Sequence, residues 1–263
     1  MTENRMKRLL AEGRVPVGLY WGSESLIFAE VLGQTGVDFV VIETEHGPLN
    51  PMVQEPLASL CRMFQSYEVT PLVRVPSNDP QLIGSALDAG ALGVVVPHVQ
   101  DREDAVRMVE ATRFPPEGVR GCGPLVPANH FVGPFNEYIS KSNETIIAAP
   151  LIEDPEGVKN LDEILEVPGI DFVMFGPLDF AFSSGLCDFM HPEVQATRSR
   201  VIDACRARNV PVDIGSNPDE LRTAAEQGSR VVAILGTDLH AFQQACSTAV
   251  GAARAALEAG GAA

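Results

Sequence analysis

The chain is short of lysine, of basic residues generally, of paired cysteines and of long apolar runs, and each shortage removes a class of protein. It has three lysines, Lys7, Lys141 and Lys159, none at the end of an expected strand. A Schiff-base enzyme needs a lysine amine pointing into its site, so imine chemistry is disfavoured. Lysine and arginine together number 19 against 35 acidic residues, a formal net charge of −16. That argues against nucleic acid, because a polyanion must be met by a clustered basic stripe. An acidic surface also repels an anionic membrane, and a site for an anionic substrate then needs a local positive charge. Cys61, Cys122, Cys187, Cys205 and Cys246 are odd in number and never form a CxxC pair. They read as reduced thiols of a cytoplasmic protein rather than a disulfide frame or a zinc site. No run approaches the roughly 18 apolar residues of a membrane helix, and the polar start is no signal peptide. Neither kind of glycine-rich nucleotide loop occurs.

What is present is a repeated alternation, clearest at residues 38–48. Four apolar residues, Phe39 to Ile42, run into Glu43, Glu45 and His46, and Gly47-Pro48 then stops them. A short apolar run bounded by turn residues is the pattern of a parallel strand covered on both faces, and in α/β barrels the chemistry sits where such strands end. Strands are expected at 15–22, in this stretch, and at 70–76, 92–98, 146–153, 170–179, 210–215 and 230–236. Helices are expected at 25–36, 52–68, 79–90, 101–114, 136–143, 158–165, 193–209, 218–228 and 239–258. The Gly/Pro-rich stretch 115–134 is longer than an ordinary connection, as functional loops are. Eight strands alternating with helices, with no linker between them, imply one α/β domain over residues 1–263, a (β/α)₈ TIM barrel.

On that reading the C-terminal strand ends gather Glu43, Glu45 and His46, then Arg74, His98, Glu153 and Asp179. Glu153 and Asp179, on neighbouring strands, are hard oxygen ligands suited to Mg²⁺ or Mn²⁺; the alternative is an ion pair with Arg74 or a nearby helix. Arg74 supplies the cation an acidic protein needs to hold a carboxylate or enolate oxygen. His46 is a candidate acid or base. His98 reads as a structural hydrogen-bonding group rather than a metal ligand. Trp21, at the first strand's end, either walls the pocket or fills the barrel edge. The turns after the last two strands, at Gly215 and Gly236, have no basic residue beside them in the sequence and read as plain turns and caps, or as backbone contacts to an anionic acceptor.

The pieces Glu45-His46-Gly47-Pro48, Pro71-Leu72-Val73-Arg74, Asn78-Asp79-Pro80, Val95-Val96-Pro97, the run from Arg113 to Gly121, Ile152-Glu153 and Phe175 to Asp179 together resemble the HpcH/HpaI aldolase family, over about residues 14–245. The resemblance implies a class II pyruvate aldolase using Mg²⁺, Mn²⁺ or Co²⁺ held by Glu153 and Asp179. It implies that Arg74 stabilises the enolate oxygen and that His46 manages the proton with Asp88 as its orienting partner. Gly176, Pro177, Leu178, Trp21 and Leu151 would border a 2-oxo acid and an aldehyde. It also implies homotrimers or homohexamers in which the C-terminal helix, 239–258, packs on a neighbour. Three positions depart from the family pattern: Glu43 for an aspartate, Leu151 for a glutamine, and Pro124 for a small hydroxyl residue. They keep open an oxaloacetate-type decarboxylase, and Glu43 and Leu151 a non-enzymatic metal-dependent 2-oxo acid binding protein; the resemblance also leaves an acyl-CoA ester lyase as an alternative, against which the scarcity of basic residues for the CoA phosphates counts.

Overall fold

The computed structural model describes residues 3–130 and 134–259. Helix α1 (Arg5–Ala11) leads into β1 (Val17–Trp21), α2 (Leu26–Gly33), β2 (Phe39–Glu43), α3 (Gln54–Ser66), β3 (Thr70–Arg74), α4 (Pro80–Asp88), β4 (Gly93–Val96) and α5 (Arg102–Thr112). Then come α6 (Phe135–Thr145), β5 (Ile147–Ile152), α7 (Pro155–Lys159), α8 (Leu161–Leu165), β6 (Met174–Phe175), α9 (Pro177–Ser183) and α10 (Pro192–Ala207). The chain ends with β7 (Val212–Asp213), α11 (Pro218–Glu226), β8 (Val231–Thr237) and α12 (Asp238–Ala259).

All strand pairs are parallel, in the order β6-β5-β4-β3-β2-β1-β8-β7. The two ends of that order meet through a parallel bridge between Val173 and Val212, which closes a (β/α)₈ barrel. Alternation along each strand sorts the core into two layers. Phe39 and Val41 of β2 point inward with Leu72, Ile147, Ala149, Phe172 and Val232. Val40 and Ile42 point outward onto Leu57, Leu60 and Phe64 of α3. Burial on both faces is why the strands read as continuous apolar runs. Met6 and Leu10 of α1 join the inner cluster, and the Met6 amide donates to Thr70 Oγ1 at the start of β3, so α1 plugs the end of the barrel away from the strand C-termini.

The helices start abruptly after the loops. Asp79, Asp101, Asp154 and Asn217 each accept a first-turn amide with a side-chain oxygen, and proline opens α4, α7 and α11 with its φ already helical. Two expectations are corrected. The strand expected over 170–179 contributes two ladder residues, because Pro177 has no N–H to extend the ladder and instead opens α9; Asp179 therefore sits in that helix's first turn. The helix expected over 158–165 is two short ones meeting at Asn160. Residues 131–133 of the long loop lie outside the described residues; before them Pro127–Asn129 makes one 3₁₀ turn.

Candidate active site

Parallel register places Glu43 of β2 beside Arg74 of β3 at the strand ends. Glu43 Oε2 accepts from Arg74 Nε at 2.7 Å and Nη2 at 2.5 Å. Its Oε1 accepts the backbone N–H groups of Glu45 at 2.7 Å and His46 at 3.0 Å. One buried carboxylate thus fixes both the arginine and the turn that carries the histidine. Gly47 completes the turn: a Cβ there would lie 2.5 Å from the Glu43 carbonyl oxygen. The longer acid at position 43 spans from strand end to turn, so it acts by positioning.

Arg74 also lies 3.3 Å from Glu45 Oε2 and stacks over the Tyr20 ring at 5.2 Å. Glu45 Oε2 is buried without a well-directed hydrogen bond. Burial raises the Glu45 pKa, with Arg74 and His46 pulling it back. The His46 ring is 65% exposed at the rim, its Nε2 3.7 Å from Glu45 Oε2.

On the facing wall Glu153, 3% exposed, follows β5. Its Oε1 accepts the His98 amide at 2.8 Å and lies 3.3 Å from His98 Nδ1, which agrees with a structural role for that histidine. Burial pushes the Glu153 pKa up to about 7; the His98 amide and ring oppose this, and the charges of Asp179 and Glu45 add to it. Gly176 permits the approach of the α9 turn: a Cβ there would sit 2.8 Å from Glu153 Cβ and 3.1 Å from Oε2. Leu151 is buried below, its Cδ1 3.5 Å from the same point. Among the described residues neither acid pairs with lysine or arginine.

Two hard carboxylates, one buried and one half-buried, whose charges act on one another are the kind of oxygen donors a divalent cation takes. Among the described residues no three His, Cys, Asp or Glu side chains group to hold a metal by themselves. A cation held by this pair alone would have its remaining positions filled by water and substrate. The mouth between the two walls is a cavity of about 470 Å³ bordered by Tyr20, Glu43, His46, Arg74, Leu178 and Asp179.

Two residues expected at the site lie elsewhere. Trp21 is 2% exposed and points outward, edge-on to Phe64 at 5.2 Å. Side chains alternate along a strand, so its neighbour Tyr20 faces the mouth instead. Asp88 bonds Arg120 Nη2 at 2.8 Å and borders a separate cavity with Gly121 and Cys122, and the cavity that His46 borders does not include it. Within the chain Glu45, not Asp88, is the carboxylate next to the histidine.

Sequence reasoning also missed Asp213. Register pairs it with inward-facing Val232, and burial pushes its pKa up to about 6 against the Gly215 amide and Arg198. The available signal was an aspartate alternating with apolar neighbours in Val212-Asp213-Ile214.

Acids, an arginine and a histidine gathered at the C-terminal mouth of a parallel barrel define a barrel enzyme. The sequence profile described as "HpcH/HpaI aldolase/citrate lyase" matches residues 16–245. A 5-keto-4-deoxy-D-glucarate aldolase of Citrobacter koseri is 35% identical over 246 residues, 92% of this chain and 93% of that protein. A HpcH/HpaI aldolase/citrate lyase family protein from Burkholderia cenocepacia J2315 superimposes with a TM-score of 0.86 at 31% identity, covering 95% of this chain and 99% of that one. The citrate synthase SbnG gives 0.86 at 28% identity, covering 97% and 100%. The chain belongs to the HpcH/HpaI aldolase/citrate lyase family and is an enzyme of the aldolase type.

Proposed function

We propose that the enzyme reversibly cleaves a 4-hydroxy-2-oxo acid to pyruvate, or a related 2-oxo acid, and an aldehyde. The observation that carries this reading is the buried Glu153 carboxylate, unneutralised by lysine or arginine and acted on by the charge of Asp179, which borders the same mouth as Arg74. A divalent cation, Mg²⁺, Mn²⁺ or Co²⁺, held by Glu153 and Asp179 supplies Lewis acidity toward the 2-oxo acid. Arg74 donates to the 2-oxo oxygen as it becomes negative, its fork held in place by Glu43. His46 takes the proton of the 4-hydroxyl, directly or through a water, and Glu45 steadies the imidazolium that forms. The C3–C4 bond then breaks, the aldehyde departs, and protonation of the enolate at C3 gives the 2-oxo acid. Gly176, Pro177 and Leu178 form the wall on the Asp179 side, and Leu151 gives that wall an apolar floor.

The test is release of aldehyde from a 4-hydroxy-2-oxo acid by metal-loaded enzyme. Glu153→Ala is expected to abolish it and His46→Ala to slow it strongly, each with the circular dichroism of the wild type. Unchanged rates in both variants would overturn the assignment. A decarboxylase of the oxaloacetate type is the second reading. It is favoured by the exposed position of His46, since loss of CO₂ needs no proton taken from a hydroxyl.

The enzyme is further proposed to be a homotrimer or homohexamer in which α12 packs on a neighbouring copy. In support, α12 is exposed along its length, and Leu239 and Phe242 on it face Phe28 and Val31 of α2 across an apolar groove. A second copy is the occupant that would cover these side chains, and light scattering reads the result. A cytoplasmic location is supported by five free thiols, two of them buried. Among the described residues no helix is long and apolar enough to cross a membrane.

A further inference from the structure

We propose, resting on the aldolase reading above, that Tyr20 is a positioning residue for Arg74: the face of its ring sets the plane of the guanidinium, so that Nη1 meets the 2-oxo oxygen. Arg74 is otherwise held along one edge. Glu43 Oε2 takes both its Nε, at 2.7 Å, and its Nη2, at 2.5 Å, and Glu45 Oε2 lies 3.3 Å from the same Nε. A guanidinium that grips both oxygens of a carboxylate is fixed in plane. Here the second oxygen of Glu43 is occupied by the amides of Glu45 and His46, so the arginine has a single oxygen of that acid to turn about. Among the described residues no hydrogen bond or ion pair reaches Nη1, the donor left for substrate.

The missing restraint comes from the face. Arg74 Cζ lies 5.2 Å from the centre of the Tyr20 ring, within the range at which a cation is drawn to an aromatic face. Both side chains border the mouth. Burial raises the phenol's pKa above its ordinary value of 10.0, so the ring meets the arginine uncharged.

The ring is itself fixed. The backbone of Tyr20 pairs with Val41 of β2 and Thr237 of β8, the ring packs on the inner cluster, and the hydroxyl lies 4.0 Å from Met174 Sδ on β6. The β1–β8 register shifts just before it. Gly18 pairs with Ile234 and Tyr20 with Thr237, which leaves one extra residue in β8, where Gly236 has a φ of +91°. Such a bulge re-aims the side chains beside it, and this one falls beside Tyr20. The hydroxyl's one polar contact from the described residues is a thioether, a weak acceptor, so the site uses the ring. Negative charge grows on the 2-oxo oxygen only as the enolate forms, and a donor fixed beforehand stabilises it without reorganising.

Two measurements test this. The first is the NMR signal of the Arg74 side-chain Nε–H, identified by its absence from Arg74→Lys. The ring current is expected to displace it upfield, an effect kept in Tyr20→Phe and lost in Tyr20→Leu. This needs neither metal nor substrate, so it decides the stacking even where the aldolase reading fails. The second is deuterium exchange into pyruvate by metal-loaded enzyme, whose absence from the wild type would count against the aldolase reading. With exchange established, Tyr20→Leu is expected to lower the rate at saturating pyruvate about tenfold, and Tyr20→Phe, which restores the ring, to recover most of it. In an Arg74→Lys background the leucine should cost about twofold or less, because lysine has no plane to stack. A packing role would lower both backgrounds by the same factor. An Nε–H signal unmoved in Tyr20→Leu, equal losses in the leucine and phenylalanine variants, or equal factors in the two backgrounds would overturn the proposal. Should Tyr20→Leu not fold, Tyr20→Met, whose flexible side chain fills gaps, takes its place.

Discussion

Removing the Glu43 carboxylate tests the organisation of the site directly. The side chains of Glu43 and Arg74 are 11% and 13% exposed and meet through bonds of 2.7 and 2.5 Å. At an effective dielectric of about 20, charges some 2.7 Å apart attract by about 6 kcal/mol, most of which offsets the desolvation of both groups. Deleting one partner loses the attraction and keeps the other's desolvation, typically about 3–5 kcal/mol. Glu45, 3.3 Å from Arg74, remains as a partial substitute, so Glu43→Ala belongs near 3 kcal/mol. Glu43→Gln keeps an acceptor for the two turn amides and one for the arginine, and loses the charge; about 1.5–3 kcal/mol is expected. Urea unfolding of the two variants, with a double-mutant cycle against Arg74→Met, measures these losses. Turnover should fall with them, because both Arg74 and the His46 turn lose their anchor. A Glu43→Ala enzyme within about 1 kcal/mol of wild type would refute the claim that this carboxylate anchors both Arg74 and the His46 turn.

His46→Ala should reduce kcat by about 10²–10⁴-fold with little change in stability, since the ring is 65% exposed; steady-state kinetics beside thermal melting separates the two effects. Gly176→Ala would place a methyl group 2.8 Å from Glu153 Cβ and displace that carboxylate, so calorimetric titration with Mn²⁺ should show weakened binding in a folded protein. Asp213 titrates at about 6 in the fold, above the ordinary value of 3.8. The folded state therefore holds that proton more tightly, and its contribution is full below about pH 4 and is lost as pH rises through about 6. Asp213→Asn should accordingly raise the melting temperature at pH 7.5, with the gain vanishing near pH 4; a gain independent of pH would contradict the assignment.

Much of this was legible in the sequence because parallel strands buried on both faces leave continuous apolar runs, and residues 39–46 announce both a strand and the charges at its end. Glu43, Arg74, Glu153 and His46 fall at one mouth for that reason. What the sequence hid depends on parity and on three-dimensional proximity. Trp21 and Tyr20 are adjacent in β1, and only the register of the closed barrel decides that the tyrosine faces the site and the tryptophan faces α3. Asp88, which the resemblance makes the partner of His46, is bound instead by Arg120, brought back from the long loop, a proximity that the sequence does not display. Asp179 read as a strand end because the apolar run through Phe175 does not reveal where the ladder stops and Pro177 opens a helix. Asp213 escaped notice because a lone aspartate in a short strand shows its inward direction only once Val232 is beside it.

The central claim is that Glu153, Asp179 and Arg74 together generate an enolate from a 2-oxo acid. Its most direct test is deuterium exchange at the methyl group of pyruvate, followed by NMR with metal-stripped protein and again after addition of Mg²⁺, Mn²⁺ or Co²⁺. The account predicts exchange that appears with metal and is lost in Glu153→Ala. Exchange that is absent with every metal, or that persists in Glu153→Ala, would contradict it.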